Sequence, residues 1–343
     1  MKNATIRDVA KAADVSVATV SRVLNSSEAV TESTRTRVEA AAASLDYVPH
    51  SAARSLSTRR TDTIGVILPD LHGEFFSELI RGIDVATRTR GLHLLLSHSH
   101  GDPVEAATVL RAMRSRVDAM VVMSLYADEE VLSAALGGST PLVMLGGGAS
   151  GGHPRFAIDN HAGAFAMTEH LVAAGHGRIA FIAGPAGNME AAQRLAGYRD
   201  ALAAHGQTGE QVVEGDFGEE SGRLAAAALL AGSMPDAIFA ANDMMAIGCL
   251  QALREAGIRV PDDIALAGFD DIPIARFVDP PLTTVGVPIA ELGRQAVECC
   301  VGILATGEPG TSRTFTPELV VRASTGGAVS ARPKGRNSRG EVT

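Results

Sequence analysis

Arg22 carries a guanidinium fork that can pair with O6 and N7 of a guanine, and the residues sharing its face at helical spacing are small or hydrogen-bonding: Val17, Ala18, Ser21 and Asn25. Such a face can sink into a major groove and meet base edges. Two other constellations offer less. His98 and His100 stand at strand spacing and could ligate a metal, but the sequence gives them no carboxylate or cysteine at suitable spacing, so a surface strand end is the simpler reading. GGGASG at 146–151 satisfies GxGxxG, yet His153 and Pro154 follow where a phosphate-cradling loop would open a helix, and it reads as a loop. The sequence contains no Walker-type loop or HExxH, so the expectation is a protein that is not an enzyme and needs no cofactor.

The elements that must position Arg22 follow from spacing. Thr5 opens a capping box with Asp8, and Ile6, Val9, Ala10 and Ala13 fall on one face of a short helix. Ala13, Asp14 and Val15 make a tight connection, and Ser16 caps a second helix through Asn25 whose Val20, Val23 and Leu24 pack back on the first. Two helices joined so closely form a helix-turn-helix, a pattern that small helical bundles also use. A third helix over 31–46 places Val38, Ala41, Ala42 and Leu45 on one stripe, with Arg35 and Arg37 elsewhere on its surface. Tyr47 and Val48 seal the core, and Pro49 ends it. Residues 50–57 are too few to hold a helix unaided, because a helix shorter than about a dozen residues barely offsets its nucleation.

Charge divides the chain in the same place. Residues 1–60 hold nine Lys/Arg and six Asp/Glu, a net of +3, whereas the whole chain of 343 residues carries −9. A basic leader on an acidic body is the footprint of a local surface that attracts a polyanion. In the body, apolar runs at 63–70, 92–99, 118–123, 141–146, 178–184, 236–242 and 263–270 alternate with helical patterns at 75–91, 103–116, 161–175, 191–206, 221–232 and 243–257. That rhythm predicts parallel sheets covered on both faces, in two lobes, with ligands at the carboxyl ends of strands. No apolar run reaches a membrane span, and no signal peptide precedes the basic leader, so the expectation is a cytoplasmic protein without a membrane partner. Cys249, Cys299 and Cys300 form no framework and read as buried thiols, while the segment from Ser324 onward reads as a disordered tail.

The runs TIRDVAxxAxVSxxTVSRVLN, VTESTRxRVEAAxxxLDYVP and AARSL over residues 5–57 resemble the DNA-binding head of the LacI/GalR family of bacterial transcription regulators. Residues 62–323 are similar to that family's effector domain, itself like periplasmic sugar-binding proteins, through IGVILPD, EFF, AIDN, HxRIAFIAGP, RLAGY, GDF, AND, DIALAGFDD and PLTTV in order. The resemblance implies a helical head at 1–46, a hinge helix and linker at 47–61, and an effector domain with one lobe at about 62–159 and 287–315 and another at 160–286 and 316–323, before the 324–343 tail. It implies base contacts by Val17, Ala18 and Arg22, and phosphate contacts by Thr5, Ser16, Thr19, Ser21, Asn25 and Thr34. It also implies a hinge that enters the minor groove as a symmetric pair, with Ala53 permitting close approach, Arg54 supplying charge and Leu56 wedging into a base step. Two-fold pairing of the hinge requires a homodimer on a near-palindromic operator.

A polyol site needs flat apolar faces against C–H bonds and planar polar groups for paired hydroxyls. Phe75, Phe76 and Phe217 supply the first, and Arg194, Asn242 and Asp270, matching ligand-contacting positions of the family, supply the second. Asp243 supports Asn242 or caps the next helix, Asp159 and Asn160 stand at the lobe crossover, and Ser124, Asn188 and Glu190 trim the pocket. Purine-binding members carry an arginine and a threonine where Asn188 and Glu190 stand, which favours a sugar here. Three readings of different class follow: a repressor released by a small carbohydrate, a purine-responsive regulator with the same head, and a sugar carrier or enzyme with an incidental helical leader. Replacing Arg22 with Ala should lower operator affinity by roughly 1 to 3 kcal/mol and relax one base position. Equal loss on every base-substituted operator, measured by equilibrium binding, reassigns Arg22 to the phosphate backbone.

Overall fold

A computed structural model describes residues 4–24, 30–47, 60–123, 140–147, 152–207 and 209–326. The chain divides into two compact units, Met1–Thr63 with Arg116–Asp118, and Ile64–Ser115 with Ala119–Thr343.

In the first unit, α1 (Ile6–Ala12), α2 (Val17–Leu24) and α3 (Glu32–Ser44) enclose Val9, Ala10, Ala13, Val20, Val23, Val38, Ala41 and Ala42. The Asp8 carboxylate starts α1 by accepting from the Thr5 backbone N–H at 2.9 Å and the Thr5 hydroxyl at 2.7 Å. Asp14, at φ 52°, makes the turn between α1 and α2, and the Ser16 hydroxyl oxygen accepts from Thr19 N–H at 3.1 Å to begin α2. Leu45 departs from expectation: it is 36% exposed, because α3 ends at Ser44 and Leu45 leaves the buried stripe, while Tyr47 packs on the core in its stead. Val48, Pro49 and the expected hinge helix lie outside the described residues. Asp118 fixes residues 61 and 62 by accepting from Thr61 N–H, Thr61 Oγ1 and Asp62 N–H at 2.7–2.9 Å.

Among the described residues the second unit holds a six-stranded sheet, a four-stranded sheet and a two-stranded one. β1 (Thr63–Leu68), β2 (His93–His98), β3 (Ala119–Met123), β4 (Leu142–Leu145), β5 (Arg155–Ile158) and β11 (Arg313–Phe315) lie in the order β11-β5-β4-β3-β1-β2. β3 pairs in parallel with β1 and β4, and β5 with β4 and β11. β6 (Ile179–Ile182), β7 (Gln211–Val213), β8 (Ala237–Ala240) and β9 (Ala265–Ala267) form an all-parallel sheet in the order β7-β6-β8-β9. Strands buried on both faces must be apolar throughout, and AMVVM, LVML, IAFI and AIFA are buried at every position. A short antiparallel pair, β10 (Thr284–Gly286) with β12 (Glu318–Val320), adds a connection that alternation of strand and helix did not foresee.

Helices cover these sheets: α4 (Glu74–Thr89), α5 (Pro103–Met113), α6 (Asn160–Ala173), α7 (Met189–Ala204), α8 (Glu219–Ala231), α9 (Asp243–Glu255) and α10 (Ile289–Thr306). The last is absent from the sequence reading; it returns the chain to the first sheet and packs along α4 and on β3, β4 and β5. Two further expectations change. Ser324 and Thr325 are buried, with Ser324 Oγ accepting from Thr283 N–H at 2.7 Å and donating to Leu266 O at 2.6 Å, so the ordered chain extends past residue 323; residues 327–343 lie outside the described ones. Cys249 and Cys300 are buried, but Cys299 is only half-buried because it faces the loop around Gly310.

α8 and α9 meet backbone to backbone. A Cβ on Gly248 would collide with the Glu219 carbonyl oxygen, and one on Gly222 with that of Met245. Neither obstacle is a side chain that can swing away. Gly248→Ala should therefore separate the helices and lower the thermal midpoint by about 2–4 °C per kcal/mol of the roughly 1–3 kcal/mol typical of overpacking. Gly302→Ala in α10, where a Cβ meets nothing within 4 Å, should leave the midpoint unchanged or raise it. Equal midpoints for the two variants by circular dichroism contradict the close contact.

Candidate functional site

On the head, α2 presents Val17, 42% exposed, with Ala18 and Arg22 on the same exposed face. Ser21 is half-buried beside them, and Asn25 lies outside the described residues. Several polar groups named as phosphate contacts also hold the fold. The Thr5 hydroxyl donates to Asp8, Ser16 and Thr19 hydroxyls share a 2.8 Å hydrogen bond, and Thr34 Oγ1 lies 3.0 Å from Thr31 Oγ1. Ala53, Arg54 and Leu56 fall outside the described residues.

The second unit brings together the effector residues that the sequence separates by nearly 200 positions. At the carboxyl ends of both sheets, Phe75, Phe76, Met123, Glu190, Arg194, Phe217, Asn242 and Asp270 line an inner chamber of about 70 Å³. It adjoins an outer bowl of about 670 Å³ that shares Phe75, Phe76, Phe217 and Asn242 and adds Asp70, His72, His100, Asn188, Asp216 and Glu219. The strand order explains the place. β1 lies between β2 and β3, and β6 between β7 and β8, so connections diverge to opposite faces just past these strands and leave a crevice. Ser124 lies outside the described residues, next to Met123 at the end of β3.

Arg194, 3% exposed, organises the chamber. Its Nε donates to Asn160 Oδ1 at 2.8 Å and its Nη1 to the Ala241 carbonyl at 2.6 Å, while its guanidinium lies 3.8 Å from the Phe269 ring centroid. Nη2 is 3.2 Å from Asp270 Oδ1 but off the line a hydrogen bond needs, so that buried oxygen has no hydrogen-bond partner among the described residues. Asn242 caps α9 by accepting from Met245 N–H at 3.0 Å and donates Nδ2–H to the Phe217 carbonyl at 2.9 Å. Asn188 caps α7 by accepting from Ala191 N–H at 3.0 Å, and Asp159 caps α6 by accepting from Ala162 N–H at 3.0 Å. Asp243 neither supports Asn242 nor caps α9, whose cap is Asn242: it accepts from Ile272 N–H at 3.0 Å and Thr284 Oγ1 at 2.6 Å, binding the start of α9 to the segments around β9 and β10.

Backbone strain concentrates here. Phe217 has φ 74° and Asp270 φ 112°, in regions that L residues rarely occupy, and each costs about 1–3 kcal/mol that the surrounding packing must offset. Gly184 makes room for Phe217, since a Cβ there would touch the phenylalanine ring. Burial dominates the acids. It raises the Asp270 carboxyl to about 7 against the pull of Arg194, raises Glu190 against the same cation, and raises Asp243 well above the usual range with help from Asp270.

Sequence reasoning missed Met123 and Phe269, whose roles depend on which strand ends meet, and treated Glu190 as a matter of pocket size. It also missed Glu105, whose carboxylate lies 2.9 Å from His100 Nδ1 across the turn into α5. Even so, among the described residues no group of three His, Cys, Asp or Glu side chains is placed to hold a metal. Gly146 and Gly147 of the glycine-rich run are described, both at positive φ; residues 148–151 are not.

Comparison with known proteins matches two regions of the chain. Residues 5–50 match the family described as bacterial regulatory proteins, lacI family, and residues 168–325 match the periplasmic binding protein-like domain. The chain is 38% identical over 331 residues to the ribose operon repressor of Escherichia coli (strain K12), covering 94% of this chain and 99% of that one. It is 35% identical over 329 residues to the HTH-type transcriptional repressor PurR of Photobacterium profundum, covering 94% and 98%. Its structure is similar to that of the lac repressor dimer bound to operator and the anti-inducer ONPF, with a TM-score of 0.86 at 30% identity, covering 94% of this chain and 99% of that one. The chain belongs to the lacI family of bacterial regulatory proteins. It is a DNA-binding transcriptional regulator with a two-lobed ligand-binding domain. Among its described residues no helix is long and apolar enough to cross a membrane.

The raised Asp270 carboxyl has a consequence for stability. An aspartate in the unfolded chain titrates near 3.9, so between about pH 4 and 7 the native state binds more protons at this site and stability falls as pH rises, levelling above about 7. Glu190 and Asp243 act in the same direction; His170 and His176, lowered chiefly by burial, act in the opposite one as they deprotonate. The difference between wild type and Asp270→Asn isolates Asp270. Urea unfolding followed by circular dichroism should show that difference shrinking by about 1 kcal/mol or more, in the variant's favour, from pH 4.5 to 7.5. A difference constant across that range means the carboxyl is ionised throughout.

Proposed function

We infer that this chain represses transcription from a near-palindromic operator as a homodimer and releases it on binding a small carbohydrate. The observation that carries the reading is the inner chamber, where Phe75, Phe76 and Phe217 stand with Arg194, Asn242 and Asp270. Aromatic carbons can stack on sugar C–H faces, and the Asp270 carboxyl, which lines the chamber, can accept from a hydroxyl. The ribose operon repressor relative supports a sugar; the PurR relative supports a purine. Against the purine stand Glu190 in the chamber wall and Asn188, whose side-chain oxygen is taken up in capping α7.

On DNA, Val17, Ala18 and Arg22 address base edges, with Thr5, Ser16, Thr19, Ser21, Asn25 and Thr34 on phosphates. Ala53, Arg54 and Leu56 belong to a hinge that coils only when paired in the minor groove, so an effector that alters hinge spacing shifts it between helix and disorder. A cytoplasmic location and the absence of catalysis accompany this role.

The test is competitive binding of the full chain to inverted-repeat duplexes selected from a random pool, with and without a panel of monosaccharides and disaccharides, hypoxanthine and guanine. A preferred inverted repeat that is released at least ten-fold by a sugar is the expected result. Release by a purine alone selects the other reading, and no preference over scrambled duplex removes both.

A further inference from the structure

Glu190 has no task in the fold that its carboxyl performs. The residue is 6% exposed, and the cation that faces its carboxyl is Arg194. It lines the inner chamber and also a neighbouring hollow of about 410 Å³ edged by Asp159, Asn160 and Gln193. Asp270 also lines the chamber, its Oδ1 3.2 Å from Arg194 Nη2. Two carboxyl groups that share one guanidinium on one small chamber point to a donor that arrives from outside.

The charge balance narrows what that donor is. Among the described residues Arg194 is the one Lys or Arg lining the chamber or the bowl, and it is committed to Asn160, the Ala241 carbonyl and Asp270. Asp70, Asp216 and Glu219 add carboxylates around the bowl. A sugar phosphate or sugar acid would bring further negative charge into this enclosure. A neutral sugar could satisfy oxygens but would bring no opposite charge to the two carboxyl groups. A protonated amine would supply a second opposite charge to two carboxyl groups whose one attracting cation is Arg194. Phe75, Phe76 and Phe217 add aromatic rings, which attract a cation that carbohydrate hydroxyls would not supply.

We propose that the effector is an aminated carbohydrate, an amino sugar or similarly substituted polyol, whose ammonium group is read by Glu190; this rests on the carbohydrate reading of the cleft given above. Burial, which holds both carboxyls toward their neutral forms, fits a chamber completed by a cation.

Calorimetric titration of the full chain with glucosamine, galactosamine and mannosamine tests this, each beside its parent hexose and its N-acetyl derivative, which removes the charge. At least one free amine should bind ten-fold or more tightly than both of its uncharged relatives, and Glu190→Gln should bring that ratio close to one. The proposal is overturned if the uncharged relatives bind as tightly, if the preference survives Glu190→Gln, or if none of the amines binds. Should Glu190→Gln fail to fold, the wild-type ratio alone decides. Tight binding of a neutral sugar leaves the carbohydrate reading standing, whereas heat from hypoxanthine or guanine alone removes that reading as well.

Discussion

A guanidinium cannot be buried without acceptors, and most of what lies around the cleft is arranged to give Arg194 its own. The residue sits on α7, yet its partners come from the start of α6, the end of β8 and the segment after β9. Each partner is then fixed in turn. Ala241 immediately precedes Asn242, which caps α9 and holds the Phe217 carbonyl; Asp270 follows Phe269, whose ring lies under the guanidinium. One buried cation thus sets the relative positions of the polar and aromatic groups at the carboxyl ends of the second sheet. Its ion pair with Asp270, at 3.2 Å, is the longest of its polar contacts.

The positions must also be held against strain. Phe217 and Asp270 both keep positive φ, which isolated chains avoid, so the surrounding packing has to over-determine them. The contact of α8 with α9 does part of this: Gly222 and Gly248 let the two helices approach until backbones touch, and α8 follows Phe217 directly while α9 follows Asn242. Asp243 supplies the rest, joining the start of α9 to the segments around β9 and β10 through Ile272 and Thr284. Helix packing far from the chamber therefore sets the distance between a ring and an amide within it.

Much of this was legible in sequence where burial leaves one solution. Runs such as AMVVM and AIFA can only be central strands of covered sheets, and each forms one. The capping residues Thr5, Ser16 and Asn242 behave as their types require. Legibility fails where the structure is set by a partner distant in the chain. β5, β7, β10, β11 and β12 have three or four residues each, too few for a periodic signal, and exist because a neighbouring strand offers a ladder. α10 has an ordinary helical pattern, but its meaning comes from Gly293 meeting the Leu79 carbonyl of α4. Ser324 sits in a polar, glycine-flanked stretch that composition assigns to a tail; two hydrogen bonds to Thr283 and Leu266 overrule composition. Glu190 could be seen as a departure at a pocket position, but only its burial facing Arg194 turns size into chemistry.

The make-up of the chamber bears on how a ligand could drive a switch. Phe75, Phe76 and Met123 come from elements of the first sheet, whereas Glu190, Arg194, Phe217, Asn242 and Asp270 come from those of the second. A ligand can move an equilibrium only by the difference in its affinity for the two states. A molecule small enough for the chamber touches both sets only when the two lobes are close, so its differential affinity lies almost entirely in lobe closure. The two sets contribute differently: apolar faces on one side give little orientation, while the polar groups on the other are held in fixed directions by Arg194 and the helix caps. On the proposed function, with the effector in this chamber, recognition belongs to the second lobe, and the free energy that favours closure comes from covering the ligand with the first.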